Sequence, residues 1–167
     1  MSTGSNINSG AALSAPVQEV PFSTTLLVRD CCLCLHVQRA ARALARRFDA
    51  ALKPVGLTNG QFSLLMSLNR PDLPGVPKAT VGSVSELLGM DRTTLTAAAR
   101  VLHGRGLLTV EAEARDKRSK VLRLTDEGRR VLAAAVPIWI REHGAIERAM
   151  GDGGAKRLRK GLREMAG

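Results

Sequence analysis

Aromatic side chains are scarce. Tyrosine is absent, and Phe22, Phe48, Phe62 and Trp139 are the whole aromatic stock of 167 residues. Proteins that grip single strands or RNA loops stack bases on exposed rings, and this chain has almost none to spend. Cysteine is also sparse. Cys31, Cys32 and Cys34 sit together, an odd, clustered set unlike the disulfide framework of a small secreted domain. That set fits a reducing cytosol, so a cytoplasmic location is expected. No run of about 18 apolar residues occurs, so no transmembrane helix is expected. The first 20 residues lack the basic start and apolar stretch of a signal peptide. A phosphate-binding glycine loop, a nucleophile elbow and a metal-plus-carboxylate cluster are missing too. The chain is therefore read as no enzyme, with no cofactor and no metal.

What is abundant is positive charge. Lys and Arg number 25 against 15 Asp and Glu, a formal charge of +10 with a pI near 10.7. Such a balance points to an anionic partner, nucleic acid or a membrane surface. Hydrophobic residues make up 44% of the chain, enough for the core of one ordinary domain.

Residues 1–25 are assigned to a disordered tail, because the first 22 are rich in Ser, Asn, Gly, Ala and Pro without apolar period. A long helix is predicted over 26–53, where Leu33, Val37, Ala40, Ala41, Leu44, Phe48 and Leu52 recur at steps of three or four. Pro54 and Gly56 end it. Thr58 caps a second helix, about 59–69, with Phe62, Leu65 and Leu68 inward. A Pro- and Gly-rich loop leads to a short helix over 81–88, closed by Gly89 in a left-handed conformation. Asp91 caps the next helix, about 92–104, with Leu95, Ala98 and Leu102 as its buried stripe and Thr93, Thr96 and Arg100 opposite. The period then changes to two. Leu108, Val110 and Ala112 alternate with polar residues, Arg115 to Lys120 form a polar turn, and Val121 to Leu124 form the return strand. Thr125 caps a long helix of about 126–149, with Pro137 as an expected kink, and Asp152 starts a last helix. The order is α-α-α-α-β-β-α-α, a mainly α (α+β) chain.

A short helix, a glycine turn, a polar-faced helix and a hairpin make a winged helix-turn-helix, assigned to residues 58–125. The helices outside it, 26–57 and 126–167, are assigned to joining two subunits. Leu88-Gly89-Met90-Asp91-Arg92-Thr93-Thr94-Leu95-Thr96, then Leu102 through Gly106-Leu107-Leu108, then Arg115-Asp116-Lys117-Arg118-Ser119, then Leu124-Thr125-Asp126-Glu127-Gly128 resemble the MarR family of bacterial regulators over about residues 30–165. The Asp-Lys-Arg wing followed by Leu-Thr-x-x-Gly is the specific combination. The resemblance implies an obligate homodimer on a palindromic double-stranded operator, usually as a repressor, with DNA released by a small ligand or an oxidant.

The N-terminal part of a recognition helix enters the major groove, which singles out Arg92, Thr93, Thr94 and Thr96, with Arg100 one turn on. Thr offers a hydroxyl to a base edge or phosphate and a methyl to thymine, and Arg clamps guanine or neutralises phosphate. At the wing, Arg115, Lys117, Arg118, Ser119 and Lys120 are DNA candidates. Arg118 matches the wing arginine that the family inserts in the minor groove, where narrowness concentrates negative potential. Asp116 is read as orienting a neighbouring arginine.

His36, Arg39, Phe62, Met66 and Trp139 are candidate walls of a small-molecule effector cleft, with the arginine suiting an anionic ligand such as an aromatic carboxylate. Counted back from Thr58, Cys34 sits where the hydroperoxide-sensing branch of the family keeps its reactive cysteine. That branch supports it with tyrosines, and this chain has none. Cys32 and His36 lie one helical turn apart, but no second pair of ligands appears at a zinc-like spacing. The other rival reading is a non-specific nucleic-acid binder, favoured by the basic run Lys156-Arg157-Leu158-Arg159-Lys160. A membrane surface is not expected, because the apolar stripe of that helix, Leu158, Leu162 and Met165, is short.

Overall fold

A computed structural model describes residues 19–71, 73, 75–113 and 119–167. Its helices are α1 (Phe22–Cys31), α2 (Leu33–Leu52), α3 (Asn59–Ser67), α4 (Val81–Leu88), α5 (Arg92–Gly104), α6 (Asp126–Ala149) and α7 (Gly154–Ala166). A 3-10 turn, Lys53–Val55, follows α2, and strands β1 (Leu108–Ala112) and β2 (Lys120–Leu124) separate α5 from α6. The chain divides between Arg39 and Ala40 into two compact units.

The predicted helix over 26–53 is two helices, and the first starts at Phe22, so the last residues of the expected tail are helical. The break falls at Cys32, whose ψ of 107° is extended. No Pro or Gly marks it. The ring of His36 meets the carbonyl of Asp30 at 3.1 Å, a carbonyl that an unbroken helix would pair with the N–H of residue 34. The periodic apolar stripe of α2 is buried only at its end, at Phe48 and Leu52. Leu33, Val37 and Leu44 are exposed, Leu33 by 66%. No residue of α1 or α7 is buried.

From Phe48 onward the core is continuous. Leu52, Leu57, Leu64, Leu65, Val84, Leu95, Leu102, Leu107, Leu108 and Leu122 are almost wholly removed from water. The stripe of α5 is Leu95, Ala99 and Leu102; Ala98, expected there, is half-buried. Burying these leucines supplies the main drive for folding, about 1.5–3 kcal/mol per side chain. Three Thr caps and one Asp cap set the helix starts by pairing otherwise orphaned N–H groups. Thr58 and Thr80 each form a reciprocal capping box, with Gln61 and Ser83. Pro137 lies inside α6. The last helix starts at Gly154, with Gly153 and not Asp152 as its N-cap, and no side chain caps it.

The two strands pair antiparallel, Leu108 with Leu124 and Val110 with Leu122. Val121 is buried along with Leu122 and Leu124, against the simple alternation expected. A further segment accounts for this: Thr80 bridges Val121, and Leu122 N–H donates to the Ala79 carbonyl at 2.8 Å. The linker before α4 thus covers the outer edge of β2, which would otherwise expose unpaired backbone.

Candidate nucleic-acid interface

Helices α4 and α5 are joined by Gly89, at φ 61° and ψ 33°. That left-handed geometry favours glycine, and it ends α4 so that Met90 and Asp91 can lead directly into α5. Asp91 then fixes the start of α5. Its carboxylate accepts the Thr94 N–H at 2.8 Å and the Thr94 hydroxyl at 2.6 Å. The Thr94 hydroxyl, followed by the backbone N–H groups, holds the Asp91 carboxyl below the usual carboxylate range. A depressed carboxylate adds stability above its unfolded pKa and loses it only as pH falls through the lowered folded value. The head of α5 is therefore set throughout the neutral range.

Arg92, Thr93, Thr94, Thr96 and Arg100 are all exposed on α5. They are not equivalent. The Thr94 hydroxyl is engaged by the cap, and the Thr96 hydroxyl donates to the Arg92 carbonyl at 2.7 Å. Thr96 keeps its methyl and its oxygen lone pairs for a partner. Arg92, Thr93, Thr96, Ala97 and Arg100 border one shallow hollow.

The hairpin stands beside this helix. Glu113 N–H donates to the Ser119 carbonyl at 3.0 Å, continuing the ladder past Ala112 and Lys120. Arg115, Asp116, Lys117 and Arg118 lie outside the described residues. A groove of about 610 Å³ gathers Arg92, Thr96 and Arg100 from α5 with Ser119 and Lys120 from the wing. Residues 80–82 at the start of α4, Ala99 and His103 of α5, and Val110 and Leu122 of the strands complete its walls. His103 and the α4 residues were not among the sequence candidates. Only His103 carries a signal, one turn beyond Arg100 on the same helix, and its ring meets the Leu108 carbonyl at 3.0 Å.

A second, apolar groove of about 480 Å³ lies among Phe62, Met66, Leu87, Leu88, Val136, Trp139 and Ile140. Phe62 and Trp139 stack with centroids 6.3 Å apart, and His143 stacks on Trp139 at 4.5 Å. Three of the effector candidates, Phe62, Met66 and Trp139, thus meet in one place. His36 and Arg39 belong to the other unit, on α2. Cys34 is exposed and free in the first turn of α2, beside free Cys31 and Cys32. Among the described residues no three His, Cys, Asp or Glu side chains gather as a metal ion would need. No described helix is long and apolar enough to cross a membrane.

A sequence profile of the MarR family matches residues 55–119. The transcriptional regulator HosA of Escherichia coli O127:H6 is 34% identical over 82 residues, which are 49% of this chain and 57% of HosA. The chain thus spans a little over half the length of the curated relatives it matches. Among solved structures, the transcriptional regulator MosR of M. tuberculosis, in complex with DNA, is 36% identical, with a TM-score of 0.71 over 80% of this chain and 92% of MosR. The transcriptional repressor CouR bound to a 23-mer DNA duplex is 27% identical, with a TM-score of 0.71 over 90% of this chain and all of CouR. A structure of CouR bound to p-coumaroyl-CoA is 29% identical, with a TM-score of 0.67 over 80% of this chain and 91% of CouR.

Proposed function

The chain belongs to the MarR family of transcription regulators, and on that premise we propose that it is a sequence-specific repressor that binds a palindromic operator as a homodimer. The observation that carries the reading is the shared groove. Arg92, Thr96 and Arg100 of α5 and Ser119 and Lys120 of the wing line one concavity, so a helix in the major groove and a hairpin over the adjoining backbone would engage one duplex together. The dimer reading draws support from apolar faces that the single chain leaves in water: Leu27, Val28, Leu33 and Val37 in one unit, and Leu158, Leu162 and Met165 in the other. A second copy of the chain covers such faces most simply.

The test is competition between a genome-selected operator and random duplex. A preference of about a thousandfold or more is expected for a specific regulator. Arg118→Ala is expected to weaken operator binding by at least about tenfold, the equivalent of about 1.4 kcal/mol, while leaving the melting temperature unchanged. Equal affinity for random and selected duplex would overturn the specific reading in favour of general nucleic-acid binding. Unchanged affinity of the Arg118 variant would remove that residue from the interface.

The effector reading is a small aromatic ligand in the groove of Phe62, Met66 and Trp139. Its support is the stacked ring pair, the apolar walls, and the aromatic acyl group in the name of the CouR ligand. Trp139 is the only tryptophan, so its emission reports occupancy directly. An aromatic carboxylate or thioester that releases the operator is expected to quench Trp139, and Leu87→Lys is expected to raise the releasing concentration about tenfold, the scale of one displaced apolar contact. Release without any change in emission would place the effector elsewhere.

A further inference from the structure

We propose that Arg92 is a clamp on the phosphate backbone rather than a base reader, and that Gly82 is the residue that positions it; the inference rests on the DNA-binding reading above and divides the labour within that site. A β-carbon placed on Gly82 would lie 3.5 Å from Arg92 Nη2 and 3.9 Å from Arg92 Cζ. The guanidinium of the first residue of α5 is therefore laid against the first turn of α4. Thr80 Oγ1, the cap of α4, lies 3.7 Å from the same β-carbon position. The charged end of Arg92 thus rests on the neighbouring helix. Thr93, Thr96 and Arg100 follow one another at steps of three and four along a face of α5 that Arg92 shares, four residues before Thr96, so what sets Arg92 apart is where its guanidinium rests.

The two helices of a helix-turn-helix meet DNA differently. The second presents its N-terminal residues to base edges, and the first crosses the sugar-phosphate backbone. A guanidinium held on the first turn of α4 belongs to the second kind of contact. Its planar fork suits a phosphate, to which it can donate two hydrogen bonds at once. Base reading then falls to Thr93, Thr96 and Arg100.

A small residue at position 82 leaves room for the close approach. Gly82 sits in the first turn of α4 with an ordinary helical backbone and no positive φ, so the backbone itself does not call for glycine, and glycine is a poor helix former. What the position gains is a flat surface for the arginine. A methyl there would make ordinary van der Waals contact at 3.5 Å. The branched methyls of valine would reach beyond that and displace the guanidinium.

The test compares Arg92→Ala, Gly82→Ala and Gly82→Val on the operator, on a panel of single-base-pair variants of it, and over a range of salt. Arg92→Ala is expected to weaken all duplexes about equally, by roughly tenfold, and to make the salt dependence shallower by about one counterion per subunit. The ranking of operator variants should not change. Relaxed preference at one base pair with an unchanged salt slope would make Arg92 a base reader and overturn the proposal. Gly82→Ala is expected to bind as the unmodified protein does. Gly82→Val is expected to reproduce the Arg92→Ala pattern, and the double variant Arg92→Ala/Gly82→Val should be no weaker than Arg92→Ala alone. Losses that add would mean that the valine obstructs DNA itself, which removes Gly82 from the positioning role. If Gly82→Val does not fold, judged by its melting curve, the Gly82→Ala and Arg92→Ala measurements decide the clamp. If the unmodified protein prefers no operator over random duplex, the underlying reading falls, and the clamp with it.

Discussion

Gly128→Ala is expected to destabilise the protein by roughly 3 kcal/mol, at the upper end of what overpacking costs. Glycine is needed here for space, not for a left-handed backbone. Gly128 lies in the first turn of α6, where that helix runs onto the segment leaving α5. A β-carbon there would fall 3.0 Å from the carbonyl carbon of Leu107, closer still to its oxygen, and 3.2 Å from Leu124 Cδ2. The backbone of Leu107 cannot yield easily. Its oxygen accepts the Thr125 N–H at 3.2 Å, while the Thr125 hydroxyl donates to the Gly106 carbonyl at 2.7 Å and accepts the Gly128 N–H at 3.0 Å. One threonine thus caps α6 and ties it to the turn before β1, and the methyl would force those bonds apart. A domain with a total stability of about 5–15 kcal/mol would lose much of its margin. Gly60→Ala is the control. Gly60 is in α3 with nothing within 4 Å of its β-carbon position, so alanine there should be neutral or stabilise by up to about 1 kcal/mol. Urea midpoints of the two variants and the parent, at one protein concentration, check the contrast. A Gly128→Ala midpoint equal to the parent's would mean that α6 does not sit on Leu107 in solution.

Raising salt from 50 to 200 mM is expected to weaken operator binding by about a thousandfold. Each neutralised phosphate releases counterions, and the logarithm of affinity falls with the logarithm of salt at about 0.9 per contact. The interface candidates include six cations per subunit: Arg92, Arg100, Arg115, Lys117, Arg118 and Lys120. If half of them meet phosphates, a dimer makes about six such contacts and the slope is near −5. Electrophoretic or anisotropy titrations at four or five salt concentrations measure it. A slope near zero would contradict a duplex held by the basic groove, whatever the affinity at low salt. The formal charge of +10 per chain sets the direction, and the measured slope counts the side chains that one duplex neutralises together.

The stretch from α3 to the start of α6 was the more legible part of the chain, because its signals are local. Asp91, Thr58 and Thr125 act within three residues of themselves, Gly89 acts within its own turn, and the change from a period of three or four to a period of two at Leu108 needs only the next few side chains. The helix ends around residue 31 were less legible, because neither Pro nor Gly marks the extended Cys32. The stripe Leu33, Val37 and Leu44 reads as core by period alone, yet those residues stand in water in the single chain. Periodicity says that a face is apolar; it does not say what covers it.

The amino-acid order alone determined the family, the succession of helices and strands from α3 to α6, and the basic, nearly aromatic-free character that suits a duplex. These follow from caps, turn residues, side-chain alternation and charge, which act over one or two turns of chain. Tertiary structure alone decided that Gly128 rests on Leu107, that the Arg92 guanidinium lies on Gly82, and that Lys120 shares a groove with Arg100. Each of these pairs residues ten or more positions apart. Such approaches are fixed by how buried leucines from separate elements pack, and no short-range rule of sequence encodes that packing.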